Sequence, residues 1–165
     1  LQKYIPLILT MGQIFFNKGQ CTELPLANTP YPLEPALYIA PPILPLKIQG
    51  IVQEGKKEAR TLNFPTANVA VRIAGLNYGV YSCRVLANNV SYDGMAYIDQ
   101  RRPAVLEAHL FEFDGNLYGK DILVELKTFI RAPQHNLSFE EVKELIHKDA
   151  ALCREDLQKV AHSKE

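Results

Sequence analysis

Thr66 and Asn68 flank a single alanine in the run Phe-Pro-Thr-Ala-Asn, and Glu107 stands in the middle of an apolar stretch. In an extended chain, positions 66 and 68 point to the same side, roughly 7 Å apart along the backbone. A threonine hydroxyl and an asparagine carbonyl are hard oxygen donors, of the kind Mg²⁺ accepts alongside phosphate oxygens and water. Neutral ligands suffice when a nucleotide brings the negative charge. Pro65 fixes its own φ and limits the freedom lost on ordering. The bland reading is that Thr66 and Asn68 only satisfy a turn. Glu107, with His109 on the same strand face, could likewise belong to a solvated face. Phosphoryl transfer, however, needs a carboxylate to orient or deprotonate the acceptor hydroxyl, together with metal and phosphate positioning. The chain carries residues suited to all three tasks.

Phosphate positioning would fall to the stretch before Pro65. Gly55 permits close backbone approach, and Lys56, Lys57 and Arg60 supply charge; an exposed, charged hairpin loop reads the same way. Gly50 to Lys57 nearly spells a P-loop, but Lys57 occupies the place of the hydroxyl that must reach magnesium. The strand–loop–helix context of a P-loop is also missing.

These residues need strands to hold them. Eight of the eleven prolines fall in the first 45 residues, which excludes long helices and central strands there. Residues 1–45 read as an irregular arm laid over the domain, with a strand near Gly12 to Phe16. From Leu46 onward "LKIQGIVQ", "GVYSCRVL", "YDGMAYI", "VLEAHLFEF" and "ILVELKTFI" read as short strands. In the fourth, Glu107, His109, Phe111 and Phe113 share one face, and Leu106, Ala108 and Leu110 the other. Asp114-Gly115-Asn116 reads as a hairpin turn. Five or six antiparallel strands indicate a barrel or a sandwich. A helix closes the chain. Ser138 and Glu141 form a capping box, Leu137 and Val142 stand where a hydrophobic staple would, and Val142, Leu145, Ile146, Leu152 and Cys153 form a stripe expected to pack on the sheet. Asp149 interrupts that stripe and needs a polar partner if buried.

Composition sets the bounds. The chain has 165 residues, 47% of them hydrophobic, with 18 basic and 18 acidic side chains. Zero formal charge argues against a phosphate-backbone binder. Three scattered cysteines (21, 83 and 153) make neither a disulfide framework nor a metal-ligand spacing, and suggest a reducing, cytoplasmic setting. No run reaches the roughly 20 apolar residues needed to cross a bilayer. The apolar start lacks the pattern of a signal peptide, so the sequons at Asn89 and Asn136 read as chance matches. The chain begins with leucine, consistent with a fragment or a processed form.

The order of these motifs resembles that of riboflavin kinase, which also forms the C-terminal module of bifunctional riboflavin kinase/FAD synthetases. The resemblance covers residues 46 to 157. It rests on a glycine and basic loop before FPTAN, Gly79-Val80-Tyr81, Leu106-Glu107-Ala108-His109-Leu110, Leu117-Tyr118-Gly119, Phe129-Ile130-Arg131, and the closing helix with Ile146 and Asp149. It implies a mainly β fold, a six-stranded antiparallel Greek-key-like barrel with a C-terminal α-helix, spanning 46–165. It implies an enzyme that transfers the ATP γ-phosphate to the ribityl 5′-hydroxyl of riboflavin, giving FMN and ADP. By position, Thr66 and Asn68 would bind Mg²⁺ and Glu107 would activate the hydroxyl. Gly55 and Arg60 would border the nucleotide, with Tyr118 near its base, and Arg131 would help cover the flavin; His109 is expected to be structural. A monomer is expected, with no nucleic-acid or membrane partner. The chain departs from the family pattern at Ala59 and Asn63, where glycines are usual. Ile98 to Ala104 stands for the family's IGxRPT segment, with a shorter run to Glu107. The first 46 residues do not resemble an adenylyltransferase domain. An impaired flavin- and nucleotide-binding module of the same fold is the alternative. An RNA-binding barrel is disfavoured, because no aromatic pair stands ready to stack bases.

Overall fold

The computed structural model describes residues 16–17, 20–21, 36–38, 43–54 and 66–162. Its strands are β1 (Phe16–Asn17), β2 (Gln20–Cys21), β3 (Ala36–Tyr38), β4 (Leu46–Gln53), β5 (Ala67–Ile73), β6 (Gly79–Ala87), β7 (Val90–Ile98), β8 (Val105–Leu110) and β9 (Asp121–Arg131). One helix, α1 (Phe139–His162), follows. Of the strand expected near Gly12 to Phe16, only Phe16 is among the described residues, where it pairs with Cys21. Gly55, Arg60 and the remainder of the basic loop lie outside them.

Six strands close into a barrel in the order β5-β4-β9-β6-β7-β8, with β8 returning to β5. All of these pairings are antiparallel. Strands β6, β7 and β8 follow one another, and β9 comes back to lie beside β6, which is a Greek key. The β6–β7 turn is tight because Asn88 and Asn89 both adopt positive φ, 50° and 63°, as a two-residue type I′ turn requires.

The barrel interior follows from alternation. Leu106, Ala108 and Leu110 of β8 point inward beside Val69, Val85, Val124 and Leu126, all buried. Strand β6 is buried on both faces over its first half, since α1 covers its outer side. There Val80 packs with Ala150, Cys153 and Phe111, and the Ser82 hydroxyl donates to Asp156 Oδ2 at 2.6 Å. Gly79, at the start of β6, has φ +144°, and a Cβ there would lie 2.0 Å from the Arg131 carbonyl oxygen. Only glycine lets β6 pass β9 so closely at that point.

Three local expectations are corrected. Asp114–Asn116 is not a hairpin turn, because β8 pairs with β5 and β7 whereas β9 pairs with β4 and β6. It is part of a crossover, in which the Asn116 side chain accepts from the Tyr118 amide at 2.9 Å. Phe113 does not share the face of Glu107. The strand ends at Leu110, Glu112 takes a left-handed φ of 57°, and the chain turns so that Phe113 packs on the barrel core and edge-on to Tyr92. Leu152 is 49% exposed. At 100° per residue it falls off the line of Ala150, Cys153 and Leu157, which are the buried positions of α1. The capping box forms as expected, with Ser138 N donating to Glu141 Oε2 at 2.7 Å and Glu141 N to Ser138 Oγ at 3.3 Å.

Cys83 and Cys153 are buried and unbridged. Among the described residues, no helix is long and apolar enough to cross a membrane. Strand β3 lies parallel to the end of β5, Ala36 to Tyr38 against Val71 to Ile73, outside the closed ring. We propose a domain boundary just before Leu46. Removing residues 1–42, which spares Leu44 on the core, is therefore expected to leave a folded barrel with a lowered melting temperature. Circular dichroism and thermal melting check this; loss of a cooperative transition would mean that the arm completes the core.

Candidate active site

The closing pair of strands brings the two polar motifs together. Asn68 of β5 is the register partner of Glu107 of β8, so their Cβ atoms stand about 5 Å apart on the same face. That face is the outer one, because Ala67, Val69, Leu106 and Ala108 fill the interior. The row continues in both directions: Gln53 faces Asn68, Glu107 faces Tyr97, Tyr97 faces Val80, and Val80 faces Arg131. Residues scattered from 53 to 131 thus form one line across the outer wall.

A cleft of about 260 Å³ opens along this line between the barrel and the first turns of α1. Val80, Met95, Val142, Leu145 and Ile146 give it apolar walls, and Thr66, Glu107, His109 and Arg101 are among its polar lining. The helix leaves this space because its close packing comes later, through the small side chains of Ala150 and Cys153. Gln134 and Leu137, from the segment before the helix, complete the lining.

Glu107 is half-buried, and its Oε1 receives Arg102 Nη1 at 2.6 Å. Arg102 sits in the short connection between β7 and β8, which is organised by Asp99. The Asp99 carboxylate, buried, accepts from the Arg101 amide at 2.8 Å, from the Arg101 guanidinium, and from the Tyr97 hydroxyl at 3.1 Å. The Arg101 hydrogen bonds hold its pKa down at about 2. Burial, reinforced by the Asp99 charge, pushes the Tyr97 phenol up to about 12. Both groups keep their neutral-pH charge states: Asp99 ionised, Tyr97 protonated.

The other expected site residues are divided. Thr66 lines the cleft beside Glu107 and His109. His109 faces Met95 across the strands and sits edge-on to Phe111 at 5.7 Å. Tyr118 lies on the opposite side of Asn68, in a turn strapped to β4 by Gly119 N to Val52 O and Val52 N to Lys120 O, both 2.9 Å. Arg131 lines the cleft but directs its fork at Asp149, with Nε to Oδ1 at 2.7 Å and a second bond from Nη2 to Oδ2. This is the partner that the buried Asp149 requires, and it locks α1 to β9. Gly55 and Arg60 are outside the described residues.

Thr66 and Asn68 offer neutral oxygens, and Gln53 of β4 faces Asn68. Among the described residues there is no cluster of three or more His, Cys, Asp or Glu side chains that could cage a metal. A hydroxyl and an amide oxygen are hard, neutral donors, of the kind that fit a cation sharing its ligands with phosphate and water. Tyr97 was missed by motif reading, and Asp99 and Arg102, though within the segment matched to IGxRPT, were given no role of their own. Their sequence signal is slight: an acid two residues before a double arginine, between two strands.

The profile of the flavokinase (riboflavin kinase) family matches residues 43–157. A bifunctional riboflavin kinase/FMN adenylyltransferase of Escherichia coli K12 is 38% identical over 120 residues, covering 67% of this chain and 38% of that protein. Among solved structures, riboflavin kinase from Trypanosoma brucei superposes with a TM-score of 0.51 at 21% identity, covering 68% of this chain and 80% of that one. A macrolide-efflux protein from Streptococcus pneumoniae superposes with a TM-score of 0.59 at 26% identity, covering 67% and 38%. The chain thus spans well under half the length of the bifunctional relative it matches.

The buried ion pair gives a test of what Arg131 does. Arg131→Met is expected to destabilise the fold by about 3–5 kcal/mol, because Asp149 is left charged without its partner. Replacing both residues, as in Arg131→Met with Asp149→Leu, should recover much of the loss. Urea denaturation of the three proteins checks it; a mild effect of the single change would free Arg131 for a role toward a ligand.

Proposed function

This chain belongs to the riboflavin kinase family, and we propose that it transfers the γ-phosphate of ATP to the ribityl 5′-hydroxyl of riboflavin, giving FMN and ADP. The observation that carries this reading is the pairing of Asn68 with Glu107 across β5 and β8, with Glu107 and Thr66 lining a cleft that also has apolar walls. A flavin has matching halves: a flat, largely apolar ring system and a polyhydroxyl chain. With the ring against Val80, Leu145 and Ile146, the ribityl end reaches Glu107 and Thr66.

Glu107 takes the proton of the terminal hydroxyl as its oxygen attacks the γ-phosphorus. The phosphorus–oxygen bond to the β-phosphate then breaks, and ADP leaves with the electron pair. Thr66 and Asn68 hold Mg²⁺ in this reading, which supplies charge neutralisation at the phosphates. The nucleotide approaches from the Tyr118 side of Asn68, with Gly55 and Arg60 on its phosphates and Tyr118 near its base. The flavin occupies the α1 side. Excluding water falls to α1 and residues 132–138, which flank the cleft. Balanced charge supports a protein that acts without nucleic acid, and scattered cysteines support the cytoplasm as its setting.

Incubation with riboflavin and MgATP should yield FMN and no FAD on chromatography; flavin binding without FMN would leave only a binding module. Glu107→Gln should retain MgATP binding and lose roughly 10²–10⁴-fold in turnover, the usual worth of a positioned base. Turnover close to the parent's would remove Glu107 from that role.

Asn68→Ala should raise the Mg²⁺ concentration needed for half-maximal activity, since one hard ligand is lost. Thr66→Ser, which keeps its hydroxyl, should be mild. An unchanged Mg²⁺ titration for Asn68→Ala would return the Thr-Ala-Asn run to a turn-forming role.

A further inference from the structure

The connection between β7 and β8 does more than join strands. Arg102 N donates to Asp99 O at 2.9 Å and Val105 N to Arg102 O at 3.1 Å, so the backbone on both sides of Arg102 is pinned. Asp99 is itself held from three directions, by the Arg101 amide, the Arg101 guanidinium and the Tyr97 hydroxyl. From this bracket Arg102 reaches back to Glu107 Oε1 at 2.6 Å. An exposed ion pair contributes little to stability, because two long side chains must be ordered to make it. Here both partners are partly exposed, at 39% and 24%, so the contact matters through geometry more than through energy. A glutamate on an outer strand face has three rotatable side-chain bonds. Proton abstraction needs its oxygen within hydrogen-bond reach of the acceptor hydroxyl.

We propose that Arg102 is the positioning residue of the Glu107 carboxylate, and that the Asp99–Arg101 bracket sets Arg102 in place to do this. The proposal rests on the reading of Glu107 as the base for the acceptor hydroxyl. Arg102 acts through Glu107, and touches neither the flavin nor the phosphates.

The test is a kinetic double-mutant cycle with riboflavin and MgATP. Arg102→Met should lower kcat roughly 10–100-fold, the scale of a displacement of about 1 Å at a reacting group. KM for ATP and for riboflavin should stay within about threefold, since no substrate contact is lost. Arg102→Lys should fall between, because an ammonium keeps the charge but not the planar fork. In protein already carrying Glu107→Gln, adding Arg102→Met should cost less than about twofold, as two residues that act as a unit are not additive. Asp99→Asn should reproduce part of the kcat loss with Glu107 present and none of it with Glu107→Gln. A full further loss from Arg102→Met in the Glu107→Gln protein would overturn the proposal, as would a loss expressed in KM for ATP; either would assign Arg102 to the substrates directly. These outcomes presuppose FMN formation by the parent protein. Its absence overturns the functional reading, and this proposal with it.

Discussion

The pairing of β5 with β8 is the constraint on which both the barrel and its site depend. It closes the ring, so that neither strand is left as an exposed edge. It also decides which residues meet. Side chains alternate with a period of two, so a slip of one residue would turn Glu107 inward and Leu106 outward. The interior at that point holds Val69, Ala108 and Val85, with nothing to pair a carboxylate. Several kcal/mol of desolvation stand against that slip. The hydrophobic pattern that stabilises the barrel therefore also fixes Asn68 opposite Glu107. Gly50 helps from the other side of β5: a Cβ there would sit 2.5 Å from Val69 Cγ1, so its absence lets β4 close on β5.

The helix adds a second layer, and its uneven contact makes the cleft. Ala150, Cys153 and Leu157 are fully buried, whereas Val142, Leu145 and Ile146 stand off as a wall. Two polar ties fix this attitude: Arg131 to Asp149 near the cleft, and Ser82 to Asp156 farther along. The Ser82 hydroxyl also accepts from Thr128 N at 3.2 Å, where a bulge interrupts the β6–β9 ladder. A buried carboxylate such as Asp149 is costly unless paired, and its pairing to the last residue of β9 couples helix docking to the end of the sheet. Because the close approach of β6 to β9 falls at Arg131, Gly79 contributes to the cleft without lining it.

What the sequence made legible was local. Strand alternation in 46–53 and 105–110 needs only the period of two, and the Ser138–Glu141 box spans four residues. Asp114-Gly115-Asn116 misled because turn chemistry says that the chain turns, not which strands then pair. Phe113 and Leu152 followed an extrapolated period past the point where the element ended or its buried face had moved on. Thr66, Asn68 and Glu107 were visible as residue types suited to phosphoryl transfer. Their meeting was not, since alternation assigns a face to each residue but no register between strands distant in sequence. Arg131 was read toward a ligand because its partner, Asp149, lies in another element. Arg102 falls within the segment matched to IGxRPT, but nothing local ties it to Glu107, as a charged residue in a connection is ordinarily solvated.

The connection that holds Arg102 also explains how so short a run can be rigid. Few residues cost little conformational entropy to order, but few also offer little surface to pack. Charge supplies the missing rigidity. Asp99, ionised down to a pKa of about 2, gathers a tyrosine, an amide and a guanidinium around one buried carboxylate. Its contribution to folding is fully present above the ordinary aspartate range near pH 4, and is lost only as the pH falls through about 2. Throughout the neutral range the bracket is therefore intact. The position of Arg102, and through it the aim of Glu107, is set by electrostatics within the connection, while the register of β5 and β8 sets what Glu107 faces.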